Sequence, residues 1–238
     1  MATLSASAPS VPSALVAPRR RTLADLFVPV ATALPLLAIA VLLCLPPFVL
    51  HPLLDAADSA AWLNATPAEA HQYSDETVDQ LVFGPGTFEI TGPGGAPLYD
   101  AAEASHMRDA RALLYAFLGL ALVCLLALAV AARRAGDRRR FWRGVGRGGA
   151  GLTVGVVVLG AVAIVAFEPA FELFHRIFFP GGNWSFDATT EHLVQLYPLD
   201  FWQDVSGVVG VIAAVLGAAT WIIARRRAAR IDARAVQP

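Results

Sequence analysis

No lysine occurs in this chain of 238 residues; all 18 basic side chains are arginine, a bias typical of GC-rich bacterial coding. Cysteine is nearly missing too. Cys44 and Cys124 both lie inside apolar runs, which argues against a disulfide framework or a cysteine-based metal site. Charge is scarce, at 16% of residues against 56% hydrophobic, with a mean hydropathy of +0.57. That balance excludes an ordinary soluble domain. There is no His-Glu-x-x-His, no nucleophile elbow and no phosphate loop. Bulky Leu43 before Cys44, and Pro46-Pro47 after it, argue against a lipoprotein processing site. The same segment is too long for a signal peptide and lacks its small-residue cleavage site.

What is present is long apolar runs. A spanning helix needs roughly 20 mainly apolar residues, and four segments qualify, at about 26–50, 110–132, 149–174 and 205–224. Pro29, Pro35 and Pro46-Pro47 should kink or break the first of them. Gly151 and Gly155 give the third a small-xxx-small spacing suited to close helix packing. The expected fold is an all-α membrane protein: four transmembrane helices under a small, mostly helical extracytoplasmic cap, with a possible short β-hairpin. Residues 1–23 read as a disordered cytoplasmic tail, 24–224 as the transmembrane domain, and 225–238 as a basic cytoplasmic tail.

Arginines set the orientation, because positive charge collects on the cytoplasmic side. They crowd before the first run, between the second and third, and after the fourth. The two remaining connections, about 51–109 and 175–204, together with their flanks hold only Arg108, Arg111 and Arg176 against an acidic excess. Both termini are therefore expected in the cytoplasm of a multi-pass protein of the bacterial inner membrane, with those two connections facing outward.

Within the first connection, Thr66-Pro67-Ala68-Glu69 reads as a capped helix start, and a second short helix is expected after Ser74. Thr87–Thr91 looks like a short strand closed by Gly92-Pro93-Gly94-Gly95. In the second connection, about 188–197 should form an amphipathic helix. Its Leu193, Val194, Leu196, Tyr197, Phe201 and Trp202 suit the lipid interface.

All five histidines fall in the two outward connections. For His51, His71 and His192 the plain reading is a polar residue in a wet segment. His106 and His175 differ, each lying at a span boundary three residues after a glutamate, Glu103 and Glu172, and hence on one helix face with it. Ionisable groups at a membrane boundary are costly and point to function. Two chemistries fit a repeated Glu-x-x-His. One is general acid–base catalysis, with each glutamate orienting its histidine. The other is a dimetal carboxylate centre, for which the first and fourth spans supply too few carboxylates. The turn Pro180-Gly181-Gly182-Asn183-Trp184 offers either donors to a developing oxyanion or simply a tight turn with an interfacial tryptophan.

The combination of Glu103-x-x-His106-Met107-x-Asp109 with Phe174-His175-x-x-Phe178-Phe179-x-x-x-Asn183-Trp184-x-Phe186-Asp187 resembles the bacterial lipoprotein intramolecular transacylase family. Leu193-Val194 and Tyr197-Pro198-x-x-Phe201-x-x-Asp204 extend the likeness, and the topology matches over about 24–224. The resemblance implies an acyltransferase that moves an acyl chain from the diacylglyceryl group of a lipoprotein to the α-amine of its N-terminal cysteine. It implies His106, His175, Glu103, Glu172 and Asp109 as catalytic, and Asn183, Trp184, Arg108, Arg176 and Phe179 as substrate-binding. His175 is then expected as base oriented by Glu172, and His106, supported by Glu103 or Asp109, as acid or oxyanion donor; these roles can be exchanged. Membrane lipid and diacylated lipoproteins are the implied partners, with no nucleic acid, cofactor or metal. A membrane metalloprotein built on the Glu-x-x-His motifs and a non-catalytic lipid-binding partner protein stand as alternatives.

Overall fold

The computed structural model describes residues 23–235; the expected N-terminal tail lies almost wholly outside them. Eight α-helices follow in order: α1 (Leu23–Cys44), α2 (Pro47–Ala56), α3 (Ser59–Trp62), α4 (Pro67–Val82), α5 (Ala101–Arg134), α6 (Arg138–Phe178), α7 (His192–Leu196) and α8 (Leu199–Ala235). Four of them, α1, α5, α6 and α8, are long and apolar enough to cross a membrane. Among the described residues the β-structure is a single antiparallel bridge, Thr91 to Pro97, so the expected strand over 87–91 is a tight loop instead. Gly94 stands in the left-handed region there (φ 68°), which glycine adopts at little steric cost.

The break at Pro46-Pro47 falls where its chemistry puts it. α1 ends at Cys44, and α2 begins with Pro47 as its first helical residue, where a missing N–H costs nothing. The Thr66 cap is also present, its hydroxyl accepting from the Glu69 amide at 3.3 Å while Glu69 accepts from the Thr66 amide at 2.7 Å. No second helix starts after Ser74. α4 runs unbroken from Pro67 to Val82, because Ser74 and Thr77 are buried inward-facing residues of a single helix. The long helices overrun the apolar segments: α5 and α6 extend into charged turns at both ends, and α8 continues through the basic tail to Ala235.

The large buried apolar side chains sit mainly in the cap. Leu54, Phe88, Leu98, Tyr99, Met107, Leu196, Tyr197 and Phe201 form its core. This corrects the expectation for the second connection. Its helix is only five residues long, and Leu193, Leu196, Tyr197 and Phe201 turn into the cap core rather than towards lipid. Two buried hydroxyl contacts lock that core: Tyr197 Oη to Ser74 Oγ at 3.1 Å, and Thr77 Oγ1 to Tyr99 Oη at 2.7 Å. A fully apolar cap would have no such directional lock. Arg111 docks α5 on the cap, donating to the Gln80 and Gly84 carbonyls at the end of α4, the latter at 2.8 Å.

At the arginine-rich end, glycines bring the helix backbones together. A Cβ on Gly148 would meet the Pro29 carbonyl at 2.4 Å, and one on Gly149 the Gly217 carbonyl at 2.5 Å. Gly151 and Gly155, the pair whose spacing suggested packing, face open space. The close approach belongs to their neighbours one turn earlier.

Candidate active site at the mouth of the bundle

α5 and α6 carry His106 and His175 to the same end of the bundle, just beyond the apolar runs of 110–132 and 149–174, where Arg108, Asp109 and Arg176 mark the charged boundary. The two imidazole centroids lie 5.8 Å apart with a 28° interplanar angle, and both residues are buried, each 8% exposed. Motifs 69 residues apart in sequence thus share one site. Phe179 lies against both rings, 4.6 Å from His106 and 5.5 Å from His175. Phe186 adds an edge to His106 at 5.6 Å, and Trp184 approaches His175 at 5.2 Å.

The glutamates do not orient these histidines. Glu103 is buried and faces backbone: it accepts from the Asp100 amide at 2.7 Å and, through its other oxygen, from the Leu193 amide at 2.6 Å. Asp100 returns the bond to the Glu103 amide at 2.8 Å, closing a capping box at the start of α5. Glu103 therefore ties the segment after α6 to the start of α5, one turn before His106. Burial pushes its carboxyl above the usual range, against the Leu193 and Asp100 amides, which pull it down. Glu172 pairs with Arg176 one turn further along at 2.8 Å, on an exposed face of α6. An intrahelical carboxylate–arginine pair at i,i+4 is the nearer and geometrically easier contact, and it won.

The Phe171 carbonyl does for His175 what Glu172 was expected to do, meeting its Nδ1 at 2.8 Å. A carbonyl only accepts, so Nδ1 carries the proton and Nε2 presents a lone pair. Spacing gave no signal for this, since the partner is a backbone atom. His106 Nδ1 is buried with no hydrogen-bond partner. Both imidazoles are held in the neutral form. Burial lowers His106 to about 4, with the neighbouring His175 adding to the effect and Asp109 opposing it. Burial likewise lowers His175, opposed by its bond to Phe171.

Asp109 lies near His106 but bonds elsewhere, accepting from Asn183 Nδ2 at 2.8 Å. That contact joins α5 to the turn after α6. Gly182 has φ 76° in this turn, and its amide donates to the Phe179 carbonyl at 3.1 Å. The Gly182 amide is thus engaged within the protein, and Asp109 takes one of the two Asn183 side-chain N–H donors. Arg108 reaches the Thr87 carbonyl at 3.4 Å and Arg176 holds Glu172, so the two arginines expected to bind substrate make contacts within the protein. No three His, Cys, Asp or Glu side chains gather as a ligand set among the described residues.

Fold and site together describe a four-span helical membrane protein with a buried imidazole pair at one mouth. The family model of lipoprotein intramolecular transacylase Lit matches residues 93–202, the stretch that contains both histidines. The in meso structure of Lit from Bacillus cereus superposes with a TM-score of 0.75 at 15% identity, covering 88% of this chain and 96% of that one. A structure of the same Bacillus cereus protein with a histidine changed to arginine gives 0.64 at 15% identity, over 89% and 92% of the two chains. An uncharacterized protein of Aquifex aeolicus is 32% identical over 62 residues, 26% of this chain and 28% of its own, so the match spans about a quarter of that relative's length. Residues 93–202 are thus similar to the Lit family, and the whole chain has the fold of a membrane-integral helical protein with four apolar helices.

Proposed function

We propose that this protein is an acyltransferase that moves an acyl chain from the diacylglyceryl group of a lipoprotein to the α-amine of its N-terminal cysteine, leaving a lyso-form product. The observation that carries the reading is the 5.8 Å pairing of His106 and His175 within the Lit-matching stretch, at the mouth of a membrane bundle. The cap side faces outward and both termini lie in the cytoplasm of the inner membrane, an orientation supported by the arginine crowding at the opposite end.

The α-amine, with a pKa of about 7.7–8.0, is largely protonated near pH 7 and must lose a proton to attack. His175 Nε2, its lone pair fixed by the Phe171 contact, takes that proton as nitrogen bonds to the ester carbonyl carbon. The carbon–oxygen bond to glycerol then breaks. His106, whose Nδ1 lacks a protein partner, meets the glyceryl oxygen and delivers its proton, giving an amide and a free hydroxyl. A neutral His106 enters as a relay: one ring nitrogen takes the second proton of the attacking nitrogen as the other gives its proton to the glyceryl oxygen. His175 passes the ammonium proton to water, so both nitrogen protons are accounted for. Holding ester and amine of one substrate molecule together supplies on the order of 7–11 kcal/mol of the barrier reduction, so an acyl-enzyme stage is unnecessary. Phe179 and Trp184 keep water from competing with the amine, and the Asp109–Asn183 contact positions the turn that carries Trp184.

Mass spectrometry of lipoprotein N-terminal peptides tests this. Cells containing the protein should yield N-acyl, S-monoacylglyceryl cysteine, and cells lacking it should yield only the diacylglyceryl form. The same peptide pattern in both strains ends the proposal.

A further inference from the structure

Three side chains on one strip of α5 reach across to the C-terminal end of α4. Arg111 donates to the Gln80 carbonyl and, at 2.8 Å, to the Gly84 carbonyl. Tyr115 Oη donates to the Val82 carbonyl at 2.9 Å, and Arg108 reaches Thr87. Arg111 and Tyr115 already lie inside the apolar run of 110–132. Helical side chains lean towards the N-terminus of their helix, which for α5 is the cap end. The contacts therefore place Val82 and Gly84 level with the first turns of that run. The end of α4 comes down to the hydrocarbon boundary instead of staying in the water above it.

The backbone is sealed where it does so. A helix leaves its last carbonyls without intrahelical donors, and in water the solvent supplies them. Here the α5 side chains cover the Gln80, Val82 and Gly84 carbonyls. The Asp79 carbonyl takes the Phe83 and Gly84 amides at 2.8 and 2.7 Å. Residue 85 is proline and has no amide to place. The Gln80 side-chain oxygen takes the Gly86 and Thr87 amides at 2.9 and 3.2 Å. Every amide from Phe83 to Thr87 is thus paired. Unpaired backbone groups are strongly disfavoured in lipid, so this pairing meets the condition for entering an apolar layer.

What the sealed turn presents is apolar. Phe83 is 83% exposed, Pro85 is exposed beside it, and no charged residue occurs between Asp79 and Glu89. We propose that the Phe83-Gly84-Pro85-Gly86 turn is a membrane anchor that does not span: Phe83 inserts among the lipids of the leaflet on the cap side and pins the cap to the bilayer beside α5. Interfacial elements of this kind bury an apolar face roughly 5–10 Å into the boundary between headgroups and acyl chains, the level of the first turns of the α5 run. At about 100° per residue, Arg111 and Tyr115 lie roughly 140° and 180° around α5 from His106. The anchor grips α5 from the side away from the imidazole pair, and the inference stands apart from the acyl-transfer reading.

Nitroxide labels on the purified full-length protein in lipid nanodiscs test the anchor, with the buried Cys44 and Cys124 first replaced by alanine. A label at Phe83→Cys is compared with one at Ala68→Cys, exposed at the opposite end of α4, and one at Leu122→Cys, exposed within the α5 run. Collision with oxygen, which concentrates in lipid, and with a water-soluble nickel chelate reports the surroundings of each label. The oxygen-to-nickel ratio at position 83 should exceed that at 68 severalfold and approach that at 122. A ratio at 83 no higher than at 68 places the turn in water and overturns the anchor. A label shielded from both reagents means that protein, a partner or a second copy, covers Phe83, and overturns it too. Should the cysteine variants fail to fold, hydroxyl-radical footprinting of the unmodified chain in nanodiscs replaces them. Phe83 should then escape oxidation despite its exposure, and ready oxidation there overturns the inference.

Discussion

The protein contains two pairs of facing imidazoles, and they differ in what their nitrogens touch. His51 and His71, on α2 and α4, stack at 4.1 Å with a 5° interplanar angle. Each gives its Nε2 to a carboxylate, His51 to Asp75 at 2.9 Å and His71 to Asp55 at 2.8 Å. The four groups cross-tie α2 and α4 at the cap surface. His106 and His175 have no carboxylate bond and are buried among Phe171, Phe179, Phe186 and Trp184. The first pair has a carboxylate partner for each ring. The second leaves a lone pair on His175 and an unpartnered nitrogen on His106. Partially exposed, carboxylate-bonded histidine is a clasp; buried histidine without a carboxylate suits the proton transfers proposed above.

The contrast breaks most sharply under alanine substitution. His106→Ala and His175→Ala should each lower lipopeptide conversion by about 10²- to 10⁴-fold, the range for losing a general acid or base. His51→Ala and His71→Ala should leave conversion within a few-fold and lower thermal stability by roughly 0.5–1 kcal/mol each. Near-equal losses across the two pairs would erase the distinction. Next in size, Asp109→Ala should free the turn carrying Trp184 and cost up to about 100-fold in conversion, the scale of a small misplacement of reacting groups. Its measurement is the rate on a lipopeptide beside an unchanged melting profile.

The buried pair should also leave a mark on the pH dependence. With His106 lowered to about 4 and His175 lowered as well, both stay neutral through the neutral range. Conversion should therefore rise between pH 6 and 8.5 with the substrate amine, of pKa about 7.7–8.0, and show no enzyme-derived limb near 6.5. For stability, the unfolded chain binds these protons first. The folded protein is unaffected above pH 6.5 and loses stability as pH falls from there towards 4, which an unfolding series across that window measures. The smallest expected effect belongs to Glu172→Gln. An exposed pair with Arg176 is worth about 0–1 kcal/mol, so conversion should stay within about threefold. A large loss would return Glu172 to the role its spacing suggested.

Several elements were readable before the coordinates because each rests on local chemistry. The Thr66 capping box, the break at Pro46-Pro47 and the four apolar helices depend on residues within a turn or two. Others depended on distant partners. Glu103 stands three residues from His106, yet it bonds the Leu193 amide, 90 positions away. Leu193, Leu196 and Tyr197 looked interfacial until the first connection folded over them and buried them. Gly151-x-x-x-Gly155 had the right spacing but the wrong level of the bundle.

Composition and arginine placement by themselves determined that this is a four-span helical membrane protein, because apolar run length and flanking charge act one segment at a time. The pairing of the two histidines also followed from helix order, which returns alternate span ends to one side. Only the tertiary structure decided which groups those histidines touch. Their partners are a backbone carbonyl, aromatic rings and each other. A carbonyl has no letter in the sequence, and rings from separate segments meet only after the helices have packed.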